Sequence, residues 1–421
     1  MLRFILGLTA LILGFSGCVS VPVADKAGQE PQDCFGDACC GNAASTSFPP
    51  HRLRCEGLAA EKTSLWAQAE RLYAEAARQA RSAEGSEARQ VLCLSLIDSA
   101  RLAHTRGVLA KARDSYVEAV KTCSTVSGAK GDETARARIG LADVLLDSGR
   151  AKEARAVLEP LAGGFLRYED KALRAAALDA FARLEDEAGN HAKARDWLNQ
   201  ALALRQQLFG EHGLEASLTM KHLGDNAMRL HGWNDARGWY LRALVGVEQS
   251  LDKRSHPYAS VKAALAANYL KDRRYDTLPA LYEELIVLGR EVYGPASAEF
   301  AQALYDSAAF LYTQRRYAQA FERFRQAAEI RRRTMPGSLA LGWASLHAAK
   351  AKLEIDHCGP AWSFLIEAQD ILNHERLAGS ETPDLNEFGN EFGRVARFCA
   401  TKPRPELSKP VGSRGKRSGR R

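Results

Sequence analysis

Aromatic residues make up only 8% of the 421 positions, and beyond its first fifteen residues the chain has no long apolar run. A membrane-spanning helix needs about 20 consecutive apolar residues, so a multispanning membrane protein is excluded. Hydrophobic residues nonetheless reach 46% and charged residues 26%, an ordinary folded composition with ample core material. Catalytic signatures are missing as well. There is no H-E-x-x-H, no G-x-S-x-G, no G-x-x-x-x-G-K-[ST] and no G-x-G-x-x-G. The ten histidines are scattered. His222 and His231 stand nine apart, with no acidic or cysteine partner at ligand spacing, and read as surface or packing residues. No catalytic residue, metal or cofactor is therefore expected. The folded body also lacks excess charge. The net charge of +7 sits in residues 402–421, where eight Lys or Arg face the single acid Glu406. Without a basic body, no nucleic-acid partner is expected.

At the N-terminus, Arg3 precedes an apolar stretch from Phe4 to Phe15 that is too short to span a bilayer and ends in Ser16, Gly17 and Cys18. This is the layout of an export signal. The segment from Phe15 to Cys18 resembles the lipobox of bacterial lipoproteins, with Phe15 where that family usually has Leu. The resemblance implies cleavage after residue 17 and a lipid on Cys18. Val19, rather than an aspartate, follows, which implies an outer-membrane anchor facing the periplasm.

Nine cysteines are many for a cytosolic chain, and Cys34, Cys39, Cys40 and Cys55 cluster early. The cluster lacks the C-x2-C spacing of a zinc knuckle, so disulfides of unreadable connectivity are the better reading. Residues 18–57 then form an anchor and Cys-rich linker.

The body is a repeat. Seven stretches share one frame, with turn positions at Trp66, Leu109, Ala151, His191, Trp233, Tyr275 and Tyr317, 40 to 43 residues apart, and a degenerate eighth copy around Trp362. Three residues after each turn stand Ala69, Ala112, Ala154, Ala194, Ala236, Leu278 and Ala320. Nine before it, from the second copy on, stand Ala100, Ala142, Ala182, Gly224, Ala266 and Ala308. Small residues at both places let two antiparallel helices approach closely, while Tyr73, Tyr116, Leu158, Leu198, Tyr240, Tyr282 and Phe324 fill the gaps between hairpins. The prolines fall in loops or opening turns, Pro279 just after a candidate cap at Asp276.

This pattern resembles the tetratricopeptide repeat family, in its 42-residue, kinesin light chain-like branch, over residues 58–375. Gly232-Trp233 matches the helix-to-helix turn and His256-Pro257 the loop dipeptide. The resemblance implies an all-α, right-handed superhelical solenoid of seven to eight antiparallel hairpins, whose first helices line a concave groove that binds a peptide or another protein. The Asn pair with which kinesin light chains hold peptide backbone is replaced here by Lys221-His222, Ala263-Ala264 and Tyr305-Asp306.

One groove-facing register reads Arg101, Asp143, Arg183 and Asp225, then Ala267 and Ala309. Either these charges form a ladder of ion pairs between repeats, each worth little, or they meet a ligand. With Lys221, and with Tyr269, Tyr305 and Tyr312, they are the candidate groove contacts; tyrosines in such repeats also serve as packing. Cys93 and Cys123 come level across one hairpin and are either bridged or small buried hydrophobes, and Cys358 and Cys399 flank a second hairpin.

Together these features predict a signal at 1–17, an anchor and linker at 18–57, a solenoid at 58–375, a capping helix at 376–401 and a disordered basic tail at 402–421. The expected role is non-catalytic binding of a protein or peptide in the bacterial envelope; the alternative is an accessory subunit that docks an enzyme of cell-wall or polysaccharide assembly. The tail either contacts peptidoglycan or anionic lipid or simply keeps the terminus soluble. Replacing Cys18 by Ala is expected to move the protein from the membrane fraction to the soluble one on envelope fractionation. Retention of the variant in the membrane pellet would contradict the lipid anchor.

Overall fold

The computed structural model describes residues 48–62, 65–355, 358, 361–377 and 383–400. The segment 1–17, Cys18, Cys34, Cys39, Cys40 and the tail 402–421 lie outside the described residues.

Within them the chain is a succession of α-helices: α1 (Pro49–Lys62), α2 (Trp66–Ser82), α3 (Ser86–Thr105), α4 (Leu109–Val126), α5 (Asp132–Asp147) and α6 (Ala151–Leu158). Then follow α7 (Lys171–Glu187), α8 (His191–Phe209), α9 (Leu214–Arg229), α10 (Trp233–Ser250), α11 (His256–Lys271) and α12 (Leu278–Val292). The series closes with α13 (Ala298–Thr313), α14 (Tyr317–Thr334), α15 (Leu339–Leu353), α16 (Trp362–Leu377) and α17 (Pro383–Ala400). Each odd helix packs against the even helix that follows it, and each hairpin packs on the next, giving the expected α-solenoid. No helix among the described residues is long and apolar enough to cross a membrane.

The even helices are helical because their apolar residues recur at three and four. In α4 the buried set is Ala112, Tyr116, Ala119 and Cys123, a stripe one side chain wide. The odd helices lie between two layers and bury a broader face, as α7 does with Leu173, Ala175, Ala177, Leu178 and Phe181. Six of the expected turn positions, Trp66, Leu109, Ala151, His191, Trp233 and Tyr317, are the first residues of even helices. The seventh is displaced: Tyr275 is exposed in the turn and α12 starts at Leu278, with Thr277 as N-cap and no side-chain cap from Asp276. Pro279, lacking an N–H and fixed in φ, sets that start. The third hairpin also departs from the frame. Pro160 ends α6 after eight residues, short 3-10 turns follow at Glu159–Leu161 and Phe165–Arg167, and Phe165 stacks on Phe181 at 4.2 Å.

Every residue of the expected small-and-aromatic frame is buried. Contact is tight enough that a Cβ added at Gly224 would meet the Tyr240 ring at 2.5 Å, and one at Gly57 the Tyr73 ring at 2.6 Å. Gly57 is the first copy's member of that register, and α1 carries it. The first helix therefore starts at Pro49, inside the segment assigned to the linker. It is tied to α3 by Arg54 and Asp98, 2.6 Å apart with side chains 5% and 9% exposed.

Disulfides join Cys93 to Cys123, with Cα atoms 5.0 Å apart, and Cys358 to Cys399, with Cα atoms 5.6 Å apart. On loop entropy, closures of 30 and 41 residues stabilise by about 3–4 kcal/mol each. Cys55 is disulfide-bonded as well. The second bridge sits in a core built by Leu365, Leu372, Leu385, Phe388 and Phe392, where α17 covers the end of the solenoid.

Two residues before the turn, the second to seventh copies take a left-handed backbone. Gly107, Gly149 and Gly189 supply it with φ of 74°, 73° and 87°, and His231, Arg273 and Arg315 adopt it with φ of 58°, 58° and 59°. The left-handed region costs a non-glycine residue roughly 1–2 kcal/mol. A Cβ at Gly149 would meet nothing within 4 Å, so Gly149→Ala isolates this cost. It is expected to lower stability by about 1 kcal/mol in urea unfolding. An unchanged midpoint would mean that the turn relaxes away from this conformation.

Candidate functional site

Odd helices touch in series, α1 to α3, α3 to α5, α5 to α7, α7 to α9 and α9 to α11, so they form the inner wall. The curl is tight enough that α11 returns to α3. At that closure the His104 and His256 rings lie 5.4 Å apart, and a Cβ at Gly107 would meet the Tyr293 ring at 2.5 Å. The wall forms a half-open cavity of about 250 Å³ lined by Leu146, Asp147, Arg183, Asp186, Glu187, Leu198, Lys221, His222, Asp225, Arg229, His256 and Ser260.

Charges around it are paired across neighbouring repeats. Arg183 reaches Asp143 at 2.9 Å and Asp147 at 2.5 Å. Asp179, with a side chain 4% exposed, accepts from Arg205 at 2.5 Å and Thr219 at 2.8 Å and lies 2.6 Å from His222 Nδ1. Asp186 collects His191 at 2.6 Å, Asn226 at 2.7 Å and Arg229 at 3.0 Å. Burial works against ionising Asp143, Asp147 and Asp179, and their partners decide the outcome. For Asp147, Arg183 and the two histidines outweigh burial and hold the carboxyl well below its usual range. For Asp179, His222 and Arg205 do the same. For Asp143, burial wins over Arg183, aided by Asp179 and Asp147, and its pKa is raised.

The expected ladder is therefore only partly realised. Asp143 and Arg183 pair between repeats, but Arg101 turns back to Glu61 at 2.9 Å and Asp98 at 3.6 Å. Asp225 takes Lys221 from its own helix at 2.9 Å and the Tyr240 hydroxyl at 2.8 Å. Of these residues Arg183, Lys221 and Asp225 face the cavity; Arg101 and Asp143 do not line it. The three tyrosines lie outside the cavity too, and they pack. Tyr269 bridges two core clusters, Tyr305 places its hydroxyl 2.7 Å from His347 Nδ1 under the Arg331 guanidinium, and Tyr312 donates to Glu354 at 3.2 Å.

His222 is a packing residue, as expected, with a partner that local spacing does not show. That partner is the acidic Asp179, supplied from 43 residues upstream by the preceding repeat. His231 is an exposed turn residue against Trp233. Sequence reading missed Asp179 and Asp186, although the frame itself carries the signal, since residues 40 to 43 apart meet across adjacent inner helices. It also missed His104, Asp147 and His256, which the closure gathers so that one ligating atom from each lies within 4.8 Å of the others.

Ser260, His256 and Asp147 share the cavity and are the residue types of an acyl-transfer triad. Both His256 nitrogens are already engaged, Nδ1 by the Tyr293 hydroxyl at 2.7 Å and Nε2 by Asp147 at 3.4 Å. Neither is left to deprotonate Ser260.

The tetratricopeptide repeat family model matches residues 174–213 and 301–336. No curated protein matches the sequence. Among solved structures, the apo form of the quorum sensor NprR from B. thuringiensis is similar, with TM-score 0.51 and 12% identity over 74% of this chain and 82% of that one. A signal-transduction ATPase with a tetratricopeptide repeat sensor from Pyrococcus horikoshii gives TM-score 0.50 and 14% identity over 86% of this chain and 54% of its own. The putative kinesin light chain repeats of Podosopora anserina give TM-score 0.44 and 14% identity over 51% of this chain and 100% of that one. The first two likenesses agree with the fold.

On α13, burial pushes the Asp306 carboxyl up to about 6, against the Gln302 hydrogen bond and Arg331. The unfolded chain, with an ordinary value near 4, gives up this proton first. Asp306 therefore favours the fold most at low pH, and that contribution is lost as pH rises through 6. Asp306→Asn is expected to be more stable than the parent at pH 7.5, with the gain vanishing below about pH 4. A difference in urea midpoint that does not change with pH would rule this out.

Proposed function

We propose that this protein is a non-catalytic scaffold, tethered to the bacterial envelope by a lipid on Cys18, that holds a segment of a protein or peptide partner against its inner wall. The observation that carries the proposal is the cavity at the centre of the curl. Four carboxylates, Asp147, Asp186, Glu187 and Asp225, and three cations, Arg183, Lys221 and Arg229, line it as neighbouring ion pairs. Mixed charge of this kind suits the alternating donors and acceptors of a peptide backbone and its charged termini better than a purely apolar or purely anionic ligand. The His256 geometry argues against acyl transfer, and the sequence offers no other catalytic pattern. A quorum sensor and a repeat sensor share this fold, in keeping with a binding role.

The linker sets how far the solenoid stands from its anchor, and the basic tail adds a salt-sensitive contact with an anionic surface. A photo-crosslinking residue at Ser260, inside the cavity, is expected to trap one discrete partner in envelopes. The same residue at Val117, exposed on outer helix α4, is expected to trap none. Arg183→Glu together with Lys221→Glu should abolish the Ser260 adduct. Equal labelling from both positions, or none from Ser260, would remove the groove from consideration.

A further inference from the structure

The closure between α3 and α11 assembles three metal-ligating side chains that are far apart in sequence. His104 lies in the last turn of α3, Asp147 ends α5, and His256 opens α11. Their meeting has a definite geometry. His104 Nε2 is 2.7 Å and His256 Nε2 is 3.4 Å from the same carboxylate oxygen, Asp147 Oδ2. The other oxygen, Oδ1, is held by Arg183 at 2.5 Å, which fixes the carboxylate's orientation. His256 places its second nitrogen, Nδ1, 2.7 Å from the Tyr293 hydroxyl.

That last contact has the form in which a ligating histidine is usually held by its second nitrogen. When Nδ1–H donates to Tyr293, Nε2 presents a lone pair to Asp147 Oδ2, and a cation between the two atoms satisfies both. In a tetrahedral site with bonds of about 2.0–2.1 Å, ligand atoms stand roughly 3.3 Å apart. The His256 separation already has that value, the His104 pair must widen slightly, and the two imidazole nitrogens, within 4.8 Å of each other, must settle to the same distance. All three side chains are mostly covered, His104 being 20%, Asp147 18% and His256 13% exposed.

We propose that His104, Asp147 and His256 form a zinc-type divalent metal site that latches the second hairpin to the sixth and closes the superhelix. Two imidazoles and one carboxylate suit zinc and its transition-metal neighbours rather than calcium or magnesium, which prefer all-oxygen sets. Three protein ligands leave a fourth position for water. Arg183 and Lys221 are the cations near the site and Asp143 is a further anion beside it; the cations temper affinity, so the metal exchanges rather than being locked in. The latch shares Asp147 and His256 with the cavity lining, yet metal uptake itself needs no partner and is tested without one.

The test uses the full-length protein, stripped with a chelator and titrated calorimetrically with zinc, then with calcium and magnesium. One equivalent of zinc is expected to bind and raise the melting temperature, with slowed amide exchange at the end of α3 and the start of α11. His104→Ala and His256→Ala should each abolish this uptake. Tyr293→Phe, which removes only the outer-shell partner, should weaken it about tenfold. His231→Ala, at an exposed turn, should leave it intact. Should His256→Ala unfold, His104→Gln, which keeps the volume and removes the ligand, carries the comparison. Absence of saturable zinc uptake by the parent protein would overturn the site. So would uptake unaltered in His104→Gln, or calcium and magnesium binding as tightly as zinc.

Discussion

Everything in this molecule rests on one close approach repeated along the chain. A small residue on an inner helix lies under a large ring from an outer helix, as Gly224 lies under Tyr240 and Gly57 under Tyr73. Ala at these inner positions is buried almost to the last atom, and so are the small residues at the start of the outer helices, Leu278 taking that place in α12. Close packing of this kind permits very little change in side-chain volume on either partner. It fixes the distance and angle between the helices of a hairpin, hence the offset from one hairpin to the next, hence the curvature. In a solenoid each unit contacts mainly its neighbours, so a small rotation per repeat accumulates. Here it accumulates until α11 meets α3.

The polar wall follows from the same spacing. Because neighbouring inner helices run side by side, residues 40 to 43 apart become partners: Arg183 with Asp143, His222 with Asp179, Asn226 with Asp186, Tyr305 with His347, Lys350 with Glu391. Surface pairs of this sort contribute little individually. Asp179 is different, since its side chain is nearly buried and satisfied by three donors from two other helices. Removing the charged partner, Arg205, from such a centre leaves a buried charge poorly compensated, at a cost of about 3–5 kcal/mol. These centres therefore fix the register between repeats, which the narrow Ala-rich seams on the outer helices specify less sharply.

Much of this was legible in the sequence. Helix type, hairpin order, the start of six outer helices and the residues that fill the seams all follow from a period that every copy repeats, so one misread copy cannot displace the rest. The failures fall where a local residue overrides the period. Pro279 delays α12 and Pro160 cuts α6 short, and both effects are readable in principle from the missing N–H. The charged register failed for another reason. Arg101 has Glu61 from the preceding repeat and Asp98 from its own helix within reach, and only side-chain geometry shows that it takes these. His256 was beyond any reading of local pattern. It lies 109 residues from Asp147, and their contact depends on summing the curvature of every hairpin between them.

That long-range contact changes what the inner wall can do. An open solenoid offers a continuous trough, whereas a curl joined at α3 and α11 offers a cavity with a seam. Asp147 and His256 belong to both the seam and the cavity lining. Any ligand that draws on either side chain competes with the contact that closes the curl, and any cation that strengthens the contact removes those side chains from the ligand. Occupancy and curvature are thereby linked, and linkage is reciprocal: whatever opens the seam on binding is bound less tightly when the seam is held. The hairpins between α3 and α11 supply the compliance, because a slight change at each of several interfaces suffices to part the ends without breaking any single core.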